Sequence, residues 1–235
     1  MNYIIETILD LLFPRRCPVC GQIIMPKGNL ICPGCIRKLS WVRGTVCKCC
    51  GKEIISETAE YCSDCAIHPR SFSNGMALLN YNEISAPSLA KIKYHNRREY
   101  LDFYAEAIAR RYGYFFERHK EAVLVPVPVH PARLRSRGFN QAGELAVRLG
   151  RLTGLSVNEA LLVRTRKTAP QKDLGPDERL RNLRHAFAVT AEAPPTVILT
   201  DDIYTTGSTM EACTRVLKAA GACQVYFVSI CIGGS

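Results

Sequence analysis

Val197-Ile198-Leu199-Thr200-Asp201-Asp202-Ile203-Tyr204-Thr205-Thr206-Gly207-Ser208-Thr209 is the stretch that decides the fold of this chain. An apolar run of strand character ends in two adjacent carboxylates, and a small hydroxyl-rich turn follows at once. Thr205, Thr206, Ser208 and Thr209 can donate hydroxyl hydrogen bonds, and Gly207 lets the backbone approach closely. The unpaired amides that open the next helix favour an anion. That half of the segment suits a phosphate. Asp201 and Asp202 are acceptor-only groups, placed where the strand gives way to the loop, and suit a diol or a bound divalent cation. An ordinary strand-turn-helix corner needs only a cap; it does not require the acidic pair, the glycine and four hydroxyls together. A phosphate and a diol held a few residues apart describe a ribose 5-phosphate.

The cysteines give a second signal. The chain has 12, of which nine fall between Cys17 and Cys65. In Cys17-x-x-Cys20-Gly21, Cys20 is separated by eleven residues from Cys32-x-x-Cys35, and the same unit recurs as Cys47-x-x-Cys50-Gly51 with Cys62-x-x-Cys65. Two knuckles at that separation form the ligand set of a closed tetrahedral zinc site, with each glycine easing the turn beneath the sulfurs. Two structural zinc ions are expected, since a catalytic zinc keeps an open position and usually takes His or a carboxylate. Disulfides are the rival reading; the start Met1-Asn2-Tyr3-Ile4 has no basic region or cleavage site that would send the chain to an oxidising compartment. The repeat favours pairing of consecutive knuckles, and a cross-braced pairing would use the same residues. Cys49 is left over, while Cys213, Cys223 and Cys231 are expected as buried free thiols.

With 235 residues, 47% hydrophobic content and no apolar run of membrane-spanning length, the chain has room for one medium α/β domain and a small module. Residues 1–68 are read as an N-terminal helix and the zinc module, and residues 69–235 as the α/β domain. Residues 2–13 have Ile4, Ile5, Ile8, Leu11 and Leu12 at helical spacing, ended by Pro14. This helix is expected to pack on the body, because Glu6 and Asp10 suit a membrane surface poorly. Farther along, strands are expected over 76–81, 122–129, 186–190, 196–200 and 224–231, and helices over 99–118, 140–152 and 208–219. Their alternation argues for a parallel sheet with flanking helices, whose ligands collect at the carboxyl ends of the strands.

The segment around Asp201 and Asp202 resembles the signature of type I phosphoribosyltransferases, which bind 5-phosphoribosyl-1-pyrophosphate (PRPP). The resemblance implies a type I phosphoribosyltransferase-like fold in which Asp201 and Asp202 contact the ribose hydroxyls. Thr205, Thr206, Gly207, Ser208 and Thr209 would wrap the 5-phosphate, with Mg²⁺ accompanying PRPP. A second loop narrows the likeness. Pro126-Val127-Pro128-Val129-His130-Pro131, an Arg-rich turn and Arg137-Gly138-Phe139-Asn140-Gln141, downstream of a cysteine-rich head, are similar to the ComF family of competence-associated phosphoribosyltransferase-like proteins. Lys93-Tyr94 and the run with Thr168, Gln171, Arg179, Asn182 and Phe187 are further matches. The resemblance implies that His130 and Arg133 contact pyrophosphate, and that residues 164–182 occupy the place of the mobile loop, where Lys167 and Lys172 could reach the ligand. As a bland alternative, Arg133, Arg135 and Arg137 form a solvated face or hold nucleic-acid phosphate.

The formal charge is +10, and residues 91–186 hold 20 basic against 10 acidic side chains, so the excess surrounds the proposed loops. Such a surface suits PRPP, and with Tyr94, Tyr100, Tyr112, Tyr114 and Phe139 nearby it also suits single-stranded DNA. The family resemblance implies a cytoplasmic protein of bacterial DNA uptake and natural transformation, working with single-stranded DNA and a helicase or recombination mediator. Both a true transferase acting on a nitrogen acceptor and a non-catalytic PRPP-sensing adaptor fit the same residues. After the helix over 208–219 the sequence gives one strand, so an acceptor pocket is expected to come from the head.

Overall fold

The computed structural model describes residues 14–56, 58–165 and 186–233. The expected helix over 2–13 lies outside them, as do Lys167, Thr168, Gln171, Lys172, Arg179 and Asn182.

Two short helices, α1 (Pro33–Ile36) and α2 (Ser63–Ile67), close the two cysteine units. The body then runs β1 (Asn74–Asn80), α3 (Ser85–His95), α4 (Tyr100–Arg111), α5 (Gly113–Arg118), β2 (Val123–Pro126), α6 (Pro131–Arg137), α7 (Gln141–Thr153), β3 (Ser156–Val157), β4 (Leu162–Arg164), β5 (Phe187–Val189), β6 (Thr196–Tyr204), α8 (Ser208–Ala219) and β7 (Gln224–Ile232). Five strands form one parallel sheet in the order β1-β7-β6-β2-β3. The parallel sheet with flanking helices, plus an N-terminal cysteine module, is the architecture expected.

Four sequence expectations are corrected. The strand over 186–190 is not part of the parallel sheet; β5 pairs antiparallel with β4, Val163 opposite Ala188. The helix over 99–118 is broken, because Tyr112 leaves helical geometry at φ −109°, ψ 20° to donate its hydroxyl to the Ala77 carbonyl, and Gly113 follows. The Arg-rich turn is helix α6, begun by Pro131 and capped by the His130 side chain, which accepts the Ala132 amide. Finally, β6 runs on to Tyr204, which places Asp201 and Asp202 inside the strand.

Burial on both sheet faces explains the apolar strands: Val197, Ile198 and Leu199 of β6 and Phe227, Val228 and Ile230 of β7 are all 0% exposed. One face is covered by α4 and α7 through Leu101, Tyr104, Ile108, Leu145 and Leu149, and Cys17, Ile24, Ile31 and Cys35 of the first cysteine unit join this core. The other face is covered by α8 through Met210, Cys213 and Leu217, and Cys47, Cys50, Cys62 and Cys65 of the second unit join that one. The two units therefore straddle the β1 edge. Between them, Trp41 bridges Leu79 antiparallel, the Val42 amide donates to the Leu78 carbonyl, and the Asn80 amide donates to the Ser40 carbonyl. An edge that would otherwise present unpaired backbone is thus covered. Lower on the same strand, the Gly75 amide donates to the Cys49 carbonyl at 2.7 Å. Gly51, at φ +76°, lies so close that a Cβ there would stand 2.4 Å from the Gly75 oxygen.

Register brings the candidate loops together. Pro126 pairs with Thr200, and the Val127 amide continues the ladder to the Thr200 carbonyl. The segment leading to α6 therefore emerges beside Asp201 and Asp202. Among the described residues, no helix is long and apolar enough to cross a membrane.

Candidate functional site

At the carboxyl end of β6, Asp202 is 6% exposed and Thr200 fully buried, both on the face covered by α7. The Thr200 hydroxyl donates to the Ala142 carbonyl at 3.1 Å, which fixes the start of α7 against the strand. Gln141, the first residue of α7, donates its amide to Asp202 Oδ1 at 3.1 Å, and the Lys93 ammonium of α3 pairs with Asp202 Oδ2. Arg137, at the end of α6, donates to Gln141 Oε1 and lies 5.5 Å over the ring of Tyr94. One carboxylate thereby joins α3, α6, α7 and β6. Asp201 turns its Oδ1 back to accept the Asp202 amide at 2.8 Å.

Their surroundings push the two carboxylates in opposite directions. Burial, followed by the charge of Asp202, pushes the Asp201 pKa well above the usual range. Burial also acts upward on Asp202, but the Lys93 ammonium and the Gln141 amide outweigh it and hold Asp202 below the usual value. Burial acts to lower Lys93, and Asp202 more than reverses this. Of the two, Asp202 is thus the carboxylate whose ionised form is favoured, with Lys93 as its counter-ion. Lys93 carries this role although its sequence gives no chemical reason for it; the one signal was its place in the Lys93-Tyr94 match.

The loop that follows has its hydroxyls at the start of α8. The Thr206 and Ser208 hydroxyls are 3.0 Å apart, and Gly207 is the helix cap at φ +75°. A Cβ at Gly207 would stand 2.3 Å from the Tyr204 hydroxyl as well as being strained by the backbone, so the position demands glycine. Asp201, Tyr204, Thr205, Thr206, Gly207 and Thr209 line a small recess here. A larger cavity, about 600 Å³, lies between the first cysteine unit and α4 and shares none of these residues. His130 is tied to its own helix by the Ala132 amide, and Arg133 and Arg135 are exposed on α6.

The cysteine clusters form as consecutive knuckles. The ligand atoms of Cys17, Cys20, Cys32 and Cys35 all lie within 4.8 Å of one another, and so do those of Cys47, Cys50, Cys62 and Cys65. No disulfide links any of the twelve cysteines, and the consecutive grouping of the ligand atoms is not the cross-braced one. The Cys20 to Cys32 and Cys50 to Cys62 sulfur separations are 3.9 and 3.7 Å. A tetrahedron with Zn–S bonds of about 2.3 Å has edges near these lengths. In both units the glycine amide closes on the first cysteine, Gly21 to Cys17 and Gly51 to Cys47, at 2.9 Å. Cys49 belongs to neither cluster. Cys213 and Cys231 are buried as expected, but Cys223 is exposed, because it lies in the turn before β7 and not within the strand.

Fold and clusters together define a parallel α/β protein that carries a double zinc ribbon on its N-terminal side. Residues 8–66 match the family model described as the double zinc ribbon domain. Over most of its length the chain is similar to Competence protein F of Haemophilus influenzae, at 26% identity across 91% of this chain and 95% of that protein. It is also similar to Competence protein ComFC of Bacillus subtilis, at 25% across 84% and 82%. DNA utilization protein YhgH of Escherichia coli is 27% identical across 93% and 97%. Among solved structures, the chain overlaps loosely with a purine phosphoribosyltransferase from Pyrococcus horikoshii, TM-score 0.34 at 15% identity over 57% of this chain and 72% of that one. Adenine phosphoribosyltransferase from Leishmania tarentolae gives 0.37 at 13% identity over 68% and 91%.

The Lys93–Asp202 pair generates a direct test. Lys93→Met leaves a buried carboxylate uncompensated and is expected to destabilise the fold by about 3–5 kcal/mol, most of which Asp202→Asn restores in the double variant. Because the folded pKa of Asp202 is depressed, the pair's contribution is present above the unfolded value and lost as pH falls through the folded one. Urea unfolding of the four proteins decides it; additive losses would show that the pair is not coupled.

Proposed function

We propose that this protein binds PRPP at the β6–α8 segment and works in the bacterial cytoplasm in DNA uptake and natural transformation, on single-stranded DNA or with a helicase or recombination mediator that handles it. In this reading residues 69–235 are the PRPP-binding domain and residues 1–68 the zinc module. The observation that supports the PRPP half is one continuous segment with two carboxylates in the carboxyl-terminal half of a strand, then a hydroxyl-rich loop capped by a left-handed glycine at a helix start. The names of the relatives, competence and DNA utilization proteins, support the DNA half.

The residues divide the ligand between them. A carboxylate has about four acceptor sites, so Asp202 retains capacity for a sugar hydroxyl after bonding Lys93 and Gln141. Thr205, Thr206, Ser208 and Thr209 would surround the 5-phosphate with hydroxyls, and the opening amides of α8 add donors aligned with the helix dipole. His130 and Arg133 would receive the pyrophosphate. Mg²⁺ would accompany PRPP, and Asp201 and Asp202 offer the hard oxygens it takes. Since Lys93 already balances Asp202, the ligand's own oxygens would supply much of that coordination. Turnover would need a nitrogen acceptor to attack C1 as pyrophosphate leaves; an adaptor that only senses PRPP would use the same contacts. Release of pyrophosphate in the presence of candidate bases separates the two roles.

Asp201→Asn with Asp202→Asn keeps shape and removes charge. PRPP affinity measured by calorimetry with Mg²⁺ is expected to fall at least ten- to a hundredfold, on the scale of charge-assisted hydrogen bonds of about 1.5–3 kcal/mol each. Equal affinity in wild type and variant would remove the PRPP reading.

Exposed Arg133 and Arg135 of α6, together with Tyr94, itself 70% exposed and stacked under Arg137 of the same helix, would supply the basic and aromatic surface suited to DNA. Arg133→Ala with Arg135→Ala should weaken oligonucleotide binding and flatten its salt dependence by up to about two charge equivalents in fluorescence anisotropy. Competition by PRPP at matched ionic strength would place both ligands on the same arginines. Absence of binding at low salt would leave the DNA to a partner protein.

A further inference from the structure

Three consecutive residues that leave the second zinc ribbon, Arg70, Ser71 and Phe72, each grip a different part of the phosphate-loop corner. Arg70 is almost buried, its side chain 6% exposed. Its Nη2 donates to Asp64 Oδ2 at 2.6 Å and to the Thr206 carbonyl at 2.9 Å. Ser71 donates its amide and its hydroxyl to the two carboxylate oxygens of Glu211, at 2.7 and 2.6 Å, and Glu211 is 1% exposed in the first turn of α8. Phe72 packs edge-on against Tyr204 and Phe227, whose rings stack 4.8 Å apart at an angle of 2°. Tyr204 in turn lies directly against Gly207.

We propose that Arg70 is a positioning residue through which the second zinc ribbon sets the shape of the loop Thr205 to Thr209. Asp64 sits between Cys62 and Cys65, in the turn that the four-thiol cluster closes, so its carboxylate is fixed only when that cluster is assembled. Arg70 passes this position to the Thr206 carbonyl. In a planar trans peptide the following N–H is antiparallel to the carbonyl, so this bond directs the Gly207 amide away from Arg70. Ser71 meanwhile holds Glu211, whose amide donates to the Gly207 carbonyl at 2.8 Å, so both peptides of Gly207 are held from the ribbon side. The residues Cys47, Cys50, Cys62 and Cys65 suit zinc by donor type and spacing, and the metal's part here is to lock the knuckle that carries Asp64. By linkage, metal retention at this cluster and affinity for a 5-phosphate reinforce one another.

The inference rests on the reading of the loop as a phosphate site, and ribose 5-phosphate and pyrophosphate are the probes that separate the two ideas. Arg70→Met and Asp64→Asn are expected to weaken ribose 5-phosphate binding about tenfold or more in calorimetry while leaving pyrophosphate affinity unchanged and two zinc ions per chain by mass spectrometry. Hydrogen exchange at the amides of 211–214, measured without ligand, should quicken in both variants while the β6 amides keep their protection. In wild type, saturating ribose 5-phosphate should slow the loss of one of the two zinc ions to a chelator by about fivefold or more, and in Arg70→Met it should not. If wild type fails to bind ribose 5-phosphate, the site reading falls and this inference with it. If wild type binds and the variants bind equally, or lose both probes alike, Arg70 does not position the loop and the inference alone is overturned.

Discussion

A buried carboxylate held by a half-buried ammonium organises the carboxyl end of this sheet. Asp202 would be costly to ionise inside the protein without Lys93, and Lys93 without Asp202. Satisfying both forces α3, α7 and β6 to a common point, and Gln141 extends the network to Arg137 on α6. Helix α6 with its cap His130 and with Arg133, and the corner from Thr205 to Thr209, are therefore presented from a frame set by charge pairing as well as by apolar packing. A site of this kind arrives already partly neutralised. Its remaining acceptor capacity is directional, which suits hydroxyl groups better than a bare cation.

The zinc ribbons solve a different problem. Each unit is too short to bury a core of its own, so four thiols and a metal fix its turns, and its few apolar side chains are merged into the body. Because the units straddle the β1 edge, the first adds to the core under α4 and α7 and the second to the core under α8. Arg15 reinforces the first attachment by pairing with Asp102 of α4 at 2.6 Å, and Asp102 is shared with Arg148 of α7. On the other side, the backbone contact of Cys49 with Gly75 leaves no room for a side chain at Gly51. The zinc module is thus built into the sheet that presents the loops.

Legibility in the sequence followed the range of the interactions. The β6–α8 corner and both cysteine quartets could be read because each is specified by residues a few positions apart, and helix α8 spans the same residues, Ser208–Ala219, as its sequence pattern. Consecutive pairing of the knuckles was favoured by the repeat, although only the structure settles it. Long-range choices were hidden. The strand over 186–190 has ordinary β character, and nothing local says that its partner is the three-residue β4 and not the main sheet. The break at Tyr112 depends on a hydroxyl reaching Ala77, and Arg70 acquires its contacts from Asp64 and from a carbonyl 136 residues away. Lys93 stood in view as part of a family match, but its pairing with Asp202 required the fold.

In the proposed function, the corner after β6 is a ribose 5-phosphate site. A crystal structure of the protein grown with ribose 5-phosphate and Mg²⁺ tests it most directly. The phosphate is expected within hydrogen-bonding distance of the hydroxyls and amides from Thr205 to Thr209, with the sugar diol facing Asp201 and Asp202. A phosphate bound elsewhere, or an empty loop at saturating ligand, would contradict it.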